Sequence, residues 1–334
     1  MMDARRDELL RWLRMDAGIE VTGLTAASAD ASFRRYFRVH SGNARFIAMD
    51  APPQRENSEP FVRISRWLAD LGMNSPRVLA EGIAKGFLLL TDLGERQYLQ
   101  VLREQPQRAH ELYDDALRAL DVLQHTGTRY QSQLPSYNSA LLNDELGLFR
   151  DWLCGTHLQL RFSADDATRW RDTCDFLVES ALAQPRVFVH RDYHSRNLIV
   201  CDDDNPGILD FQDAVNGPLT YDLVSLLKDC YIRWPDADVE ALARGFYARA
   251  CRRLPSGFNE LAFMRAFELM GVHRHLKAAG IFARLNHRDG KPAYLADIPR
   301  TLTYVSDVAR RYEELGFLSA LLRERCLPAL QAAA

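Results

Sequence analysis

The residues best suited to chemistry lie in one short stretch. It runs His190-Arg191-Asp192-Tyr193-His194-Ser195-Arg196-Asn197 and continues, after a turn, with Ile208-Leu209-Asp210-Phe211. Asp192, Asn197 and Asp210 stand at the ends of short apolar runs, where a strand pins the backbone and the side chains emerge at an edge. Phosphoryl transfer asks for this set: a carboxylate to orient and deprotonate an attacking hydroxyl, and hard oxygen ligands to hold Mg²⁺ across the phosphates. Asp192 suits the first task as catalytic base. Asn197, five residues on, and Asp210, after the hairpin, suit the second as metal ligands. A second His-Arg-Asp, at 287–289, warns against reading a tripeptide alone: five residues after Asp289 stands Tyr294, and no β-type run precedes it. That copy reads as a solvated loop, and Asp202-Asp203-Asp204 as a wet turn. His273 and His275, two apart on a helix, do not face one way and make a poor zinc pair.

The spacing of His-Arg-Asp, Asn and Asp-Phe matches the protein-kinase catalytic set. It resembles more closely the aminoglycoside phosphotransferase and choline kinase branch, in which an Asp-x-x-Asp segment and a Gly-Pro-x-x-Tyr-Asp-Leu segment follow. Here these are Asp210-Phe211-Gln212-Asp213 and Gly217-Pro218-Leu219-Thr220-Tyr221-Asp222-Leu223. The resemblance implies an α+β, bilobal protein-kinase-like fold, with a small mixed β-sheet N-lobe and a mainly helical C-lobe. It also implies ATP and Mg²⁺ as cofactors. Asp222 opens an apolar helix, so N-capping accounts for it; the resemblance suggests that it also braces the catalytic loop.

The elements that must position these residues follow from periodicity. Residues 1–94 read as a nucleotide-binding N-lobe: an amphipathic helix near Arg5 to Leu13, strands at Phe33–Val39 and Arg45–Met49 around Ser41-Gly42-Asn43, a helix capped by Ser58, and strands at Val78–Leu79 and Phe87–Leu90. Residues 95–334 read as a helical C-lobe that carries the catalytic loop and substrate site, interrupted by β-type runs between Val187 and Leu209. The N-lobe departs from the kinase pattern. Its phosphate loop, Ser28 to Phe33, has no glycine, and Met49 lies on the strand expected to carry a lysine. Arg34, Arg35 and Arg38 are the nearby cations, and a guanidinium can fork onto phosphate. Strand alternation puts Arg34 and Arg38 on one face and Arg35 on the other, so only one set can face a nucleotide. Nucleotide binding is therefore expected at Ser32, Phe33, Arg34 and Arg35, with adenine at backbone groups near Asp92 and Leu93.

For the acceptor, Ser32-Phe33-Arg34-Arg35-Tyr36-Phe37-Arg38, Met49-Asp50-Ala51-Pro52-Pro53 and Leu276 to Leu285 resemble a bacterial subgroup, the anomeric N-acetylmuramate and N-acetylglucosamine 1-kinases of cell-wall recycling. That implies phosphorylation of the C1 hydroxyl of an amino sugar. Glu145, Phe149 and Trp152 share one helix face, suited to a pyranose; core packing explains the aromatics equally well. Arg274 and Lys277 are the candidate pair for a lactyl carboxylate, or else solvated helix charge. An aminoglycoside kinase is the nearest alternative, and a pseudokinase that only binds is the alternative of another class.

Net charge is −3, without the basic footprint of a nucleic-acid binder. The six cysteines form no CxxC and no zinc-spaced pair with His, and read as reduced thiols. No signal peptide and no apolar stretch of membrane-spanning length is present, so a cytoplasmic enzyme with no membrane and no obligate protein partner is expected.

Overall fold

The computed structural model describes residues 3–29 and 33–333. In chain order the elements are α1 (Ala4–Met15), β1 (Gly23–Ala29), β2 (Arg35–Ser41), β3 (Ala44–Asp50), α2 (Glu59–Asp70), β4 (Val78–Gly82), β5 (Phe87–Thr91), α3 (Tyr98–Glu104) and α4 (Ala109–Thr126). After these come α5 (Ser139–Leu148), α6 (Ala164–Leu182), β6 (Arg186–Val189), β7 (Leu198–Ile199), β8 (Gly207–Ile208), β9 (Val215–Pro218) and α7 (Tyr221–Leu227). The chain closes with α8 (Asp236–Ala250), α9 (Glu260–Asp289), α10 (Ile298–Ala309), α11 (Gly316–Leu321) and α12 (Leu327–Ala333). It folds into two compact units. One comprises Met1–Ala119 with Arg196–Asp213, the other Leu120–Ser195 with Ala214–Ala334.

The first unit is built on an antiparallel sheet of order β1-β2-β3-β5-β4. Alternation along its strands decides what α1 covers. Phe37 and Val39 of β2, Ala48 of β3, and Phe87 and Leu89 of β5 form one buried cluster with Leu9, Trp12 and Leu13 of α1. The expected β2–β3 hairpin is present, its turn opened by Gly42 at φ +56. Strand β1 was not anticipated, because Leu-Thr-Ala-Ala-Ser-Ala carries little β propensity; its pairing with β2 supplies the reason it forms. Ser58 stands at the N-cap of α2 but its side chain caps nothing; the Asn57 carboxamide oxygen accepts the Glu59 N–H instead, at 3.0 Å. The β7–β8 hairpin belongs to this unit, held by Ile208 N–H to Asn74 O (2.7 Å) and Val200 N–H to Arg96 O (2.8 Å).

The second unit gathers around the thirty-residue α9, against which α5, α6, α7, α8 and α10 pack. Gly280 sets how closely α9 approaches the end of α5. A Cβ there would lie 2.3 Å from the Leu148 carbonyl carbon, so only glycine fits. Strand β6, which leads into His190-Arg191-Asp192, pairs antiparallel with β9. Among the described residues no helix is long and apolar enough to cross a membrane.

Candidate active site

In the second unit, β6 ends at Val189 and releases His190-Arg191-Asp192, with Arg191 at φ +79, a conformation costly for a side-chain-bearing residue. Asp222, in the first turn of α7 and fully buried, holds that bend. Its carboxylate accepts the backbone N–H of His190 at 2.6 Å and of Arg191 at 2.9 Å. The acid is therefore a brace for the loop; it caps no helix. Further along, the Asp229 carboxylate accepts from both Ser195 N–H (2.9 Å) and Ser195 Oγ (2.5 Å). Two buried carboxylates thus anchor the loop on either side of Asp192.

Asp192 is itself partly exposed. Desolvation pushes its carboxyl up, but Lys277, His194, Arg274 and Arg191 outweigh that and hold it below the usual carboxylate range. It is ionised at neutral pH, as a base must be. The cations belong to a buried cluster. Lys277 Nζ lies 2.9 Å from Glu145 Oε1 and 2.9 Å from Tyr221 Oη, Arg191 also pairs with Glu145, and Tyr137 Oη donates to the other Glu145 oxygen. Burial raises the Glu145 carboxyl, yet Lys277 and Arg191 bring it down to about 2. Arg274 and Lys277 are only 6% and 8% exposed, which removes solvated helix charge as an account of them. Arg274 donates to Cys230 Sγ at 3.7 Å.

At Phe149 the helix passes into a π-helical segment, Phe149–His157, and the 3.6-residue spacing used to align Glu145, Phe149 and Trp152 no longer applies. Phe149 is fully buried and stacks on Trp170 at 5.4 Å, so it is core; Trp152 remains partly exposed. Tyr137 was missed altogether, since a tyrosine before a helix carries no sequence signal. Arg191 was in view, as the middle of His-Arg-Asp, but not as a charge partner. The other His-Arg-Asp, 287–289, forms the last turn of α9 and not a loop, with Arg288 paired to Asp289 at the surface.

In the first unit, Asn197 and Asp210 flank the β7–β8 hairpin. Leu209 N–H bonds to Asn197 O at 2.9 Å, and Asn197 Nδ2 lies 3.3 Å from Asp210 Oδ2. Asp210 is at φ +63, and Gln212 Nε2 donates to its Oδ1 at 2.8 Å. Phe211 anchors the segment on Phe61 of α2, ring centroids 4.8 Å apart. One amide and one carboxylate, side by side and partly exposed, form a hard-oxygen donor set that fits Mg²⁺.

The nucleotide residues expected in this unit are placed as follows. Ser32 lies outside the described residues. Phe33 is exposed, and its N–H bonds to Glu56 Oε1 at 3.2 Å. Arg34 pairs with the other Glu56 oxygen at 3.0 Å. Arg35, at the first position of β2, reaches Asp3 and the buried Asp50, which it shares with Arg5 of α1. Met49 is fully buried and offers nothing to a phosphate. Asp92 spends its carboxylate on Arg38 (2.7 Å) and on the Gly94 N–H (3.0 Å), while Leu93 O accepts from Cys201 Sγ at 3.5 Å.

A family model described as "Phosphotransferase enzyme family" matches residues 23–267. An N-acetylmuramate/N-acetylglucosamine kinase of Pseudomonas aeruginosa is 48% identical over 302 residues, covering 90% of this chain and 87% of the relative. One of Pseudomonas putida is 45% identical over 327 residues, covering 97% and 94%. Among solved structures, a spectinomycin phosphotransferase in complex with ADP and spectinomycin is similar with a TM-score of 0.62 at 13% identity, covering 92% of this chain and 98% of that one. At that identity the likeness speaks for the fold, which is the protein-kinase-like α+β fold.

Proposed function

The chain belongs to the phosphotransferase enzyme family and is an ATP-dependent sugar kinase, and from that premise we propose that it phosphorylates the anomeric C1 hydroxyl of N-acetylmuramate and N-acetylglucosamine, in the cytoplasm, for cell-wall recycling. The observation that carries the chemistry is Asp192: an ionised carboxylate on a loop anchored by Asp222 and Asp229. The acceptor rests on what its relatives are named for.

Asp192 accepts the C1 hydroxyl proton as the sugar oxygen bonds to the γ-phosphorus and the bond to the β-phosphate oxygen breaks, releasing ADP. Asn197 and Asp210 would hold Mg²⁺, which when bound neutralises charge on the phosphates. Residues 1–94 bind the nucleotide, with Ser32, Phe33, Arg34 and Arg35 toward the phosphates and the backbone of Asp92 and Leu93 toward adenine. Residues 95–334 carry the catalytic loop and the acceptor site. There Trp152 faces the sugar, Glu145 orders Arg191 and Lys277, and Arg274 with Lys277 favours an acceptor bearing a carboxylate. Lys277, Arg274 and Arg191, all acting on Asp192, do not suit the polycationic acceptor of an aminoglycoside kinase.

The test is ATP turnover with Mg²⁺ against N-acetylmuramate, N-acetylglucosamine, their 1-O-methyl glycosides and an aminoglycoside, with products followed by phosphorus NMR. Sugar 1-phosphates from the free sugars and none from the blocked glycosides are expected. Equal phosphorylation of the glycosides would remove the C1 assignment, and preference for the aminoglycoside would remove the acceptor.

A further inference from the structure

The chain uses arginine for nearly all its cations and keeps lysine at four positions, Lys85, Lys228, Lys277 and Lys291. Lys85 pairs with Asp16 at the surface, and Lys277 with Glu145 in the core. Lys228 is different. It is the C-cap of α7, its stem crosses Gly271 of α9, and its ammonium sits 5.0 Å above the Phe267 ring. Around it α8, α9 and α10 frame a cleft of about 510 Å³, to whose lining Lys228 contributes. Six cations and four carboxylates line that cleft.

The carboxylates are committed to arginines. Asp307 and Asp236 pair with Arg233, Glu268 pairs with Arg311, and Glu240 pairs with Arg244. Among the described residues no carboxylate lies within ion-pair distance of Lys228 Nζ, so the amine meets the cleft with only a ring face beneath it. We infer that Lys228 is a covalent acylation site, and that the arginine-framed cleft selects an anionic donor of the acyl phosphate class.

In the step, the lone pair of the neutral Nζ attacks the acyl carbon. A C–N bond forms, the C–O bond to phosphorus breaks, inorganic phosphate leaves with the bonding pair, and the surplus amine proton passes to it or to water. Availability of the neutral amine supports the geometry. Burial, helped by Arg311 and Arg233 against Glu268 and Asp236, brings Lys228 down to about 8. At pH 7.5 roughly a quarter of such amines are neutral, against about 0.1% of ordinary lysines. Lower basicity returns part of that advantage, leaving a rate gain on the order of tenfold. The product lies one residue from Asp229, which anchors Ser195 of the catalytic loop.

The experiment incubates the intact protein with isotope-labelled acetyl phosphate, or with the neutral ester phenyl acetate, and follows each lysine by peptide mass spectrometry. Acetyl phosphate should label Lys228 about tenfold faster than Lys85 at pH 7.5. The Lys228 rate should level off above pH 8 while that of Lys85 keeps rising, and the preference should exceed that with phenyl acetate. Labelling of Lys228 no faster than Lys85 by either reagent would overturn the site. A Lys228 preference seen only with phenyl acetate would overturn the anionic donor.

Discussion

Glu145→Gln separates a carboxylate that holds a buried charge cluster together from one that is ornamental. Glu145 is 4% exposed and touches Lys277, Arg191 and Tyr137. Its carboxyl falls from the usual 4.5 to about 2. A depressed folded-state pKa contributes stability that is present above the ordinary value and lost as pH falls toward the folded one. The shift corresponds to about 3 kcal/mol at pH 7, in the range expected for breaking a buried pair. By pH 3.5 the wild type should have lost a little under half of it through the linkage relation. Urea denaturation of both proteins at pH 7 and pH 3.5 measures this. The gap between them should be about 3 kcal/mol at the higher pH and shrink by close to half at the lower. A gap under about 1 kcal/mol at pH 7, or one unchanged at pH 3.5, would refute the reasoning.

Asn197→Ala and Asp210→Ala should raise the Mg²⁺ concentration needed for half-maximal turnover, Asp210 more severely because it carries the charge, whereas Asp289→Ala should leave that titration unmoved. Asp222→Asn leaves one loop N–H facing an amide donor, a buried mismatch of about 1–3 kcal/mol; turnover should fall about 5- to 150-fold with ADP affinity unchanged, and a turnover within twofold of wild type would show that the loop needs no brace. Arg34→Gln should weaken ATP binding, whereas Arg35→Gln, which strips a partner from buried Asp50, should chiefly lower the melting temperature. Isothermal titration with ATP and thermal melts of both variants distinguish the two.

The elements that carry strong periodicity were legible in the sequence: α1, α2, the β2–β3 hairpin and the apolar β5. So was the order of Asp192, Asn197 and Asp210 along the chain. What was not legible depends on partners distant in sequence. Strands β1 and β9 exist because β2 and β6 pair with them, and Ala-rich or Gly-Pro-bearing segments do not announce that. Arg34 and Arg35 reach different partners, Glu56 and Asp50, which could not be chosen from spacing. The π-helical segment at Phe149 defeated a face assignment that assumed 3.6 residues per turn. Asp222 was ambiguous between cap and brace until its two N–H donors were located.

The most direct test of the account is the role of Asp192. Single-turnover transfer from ATP to N-acetylmuramate would be compared for wild type and Asp192→Asn, alongside nucleotide affinity. Loss of a positioned base predicts a rate lower by ~10² to 10⁴-fold with nucleotide affinity unchanged; a rate near wild type would contradict the assignment on which the mechanism stands.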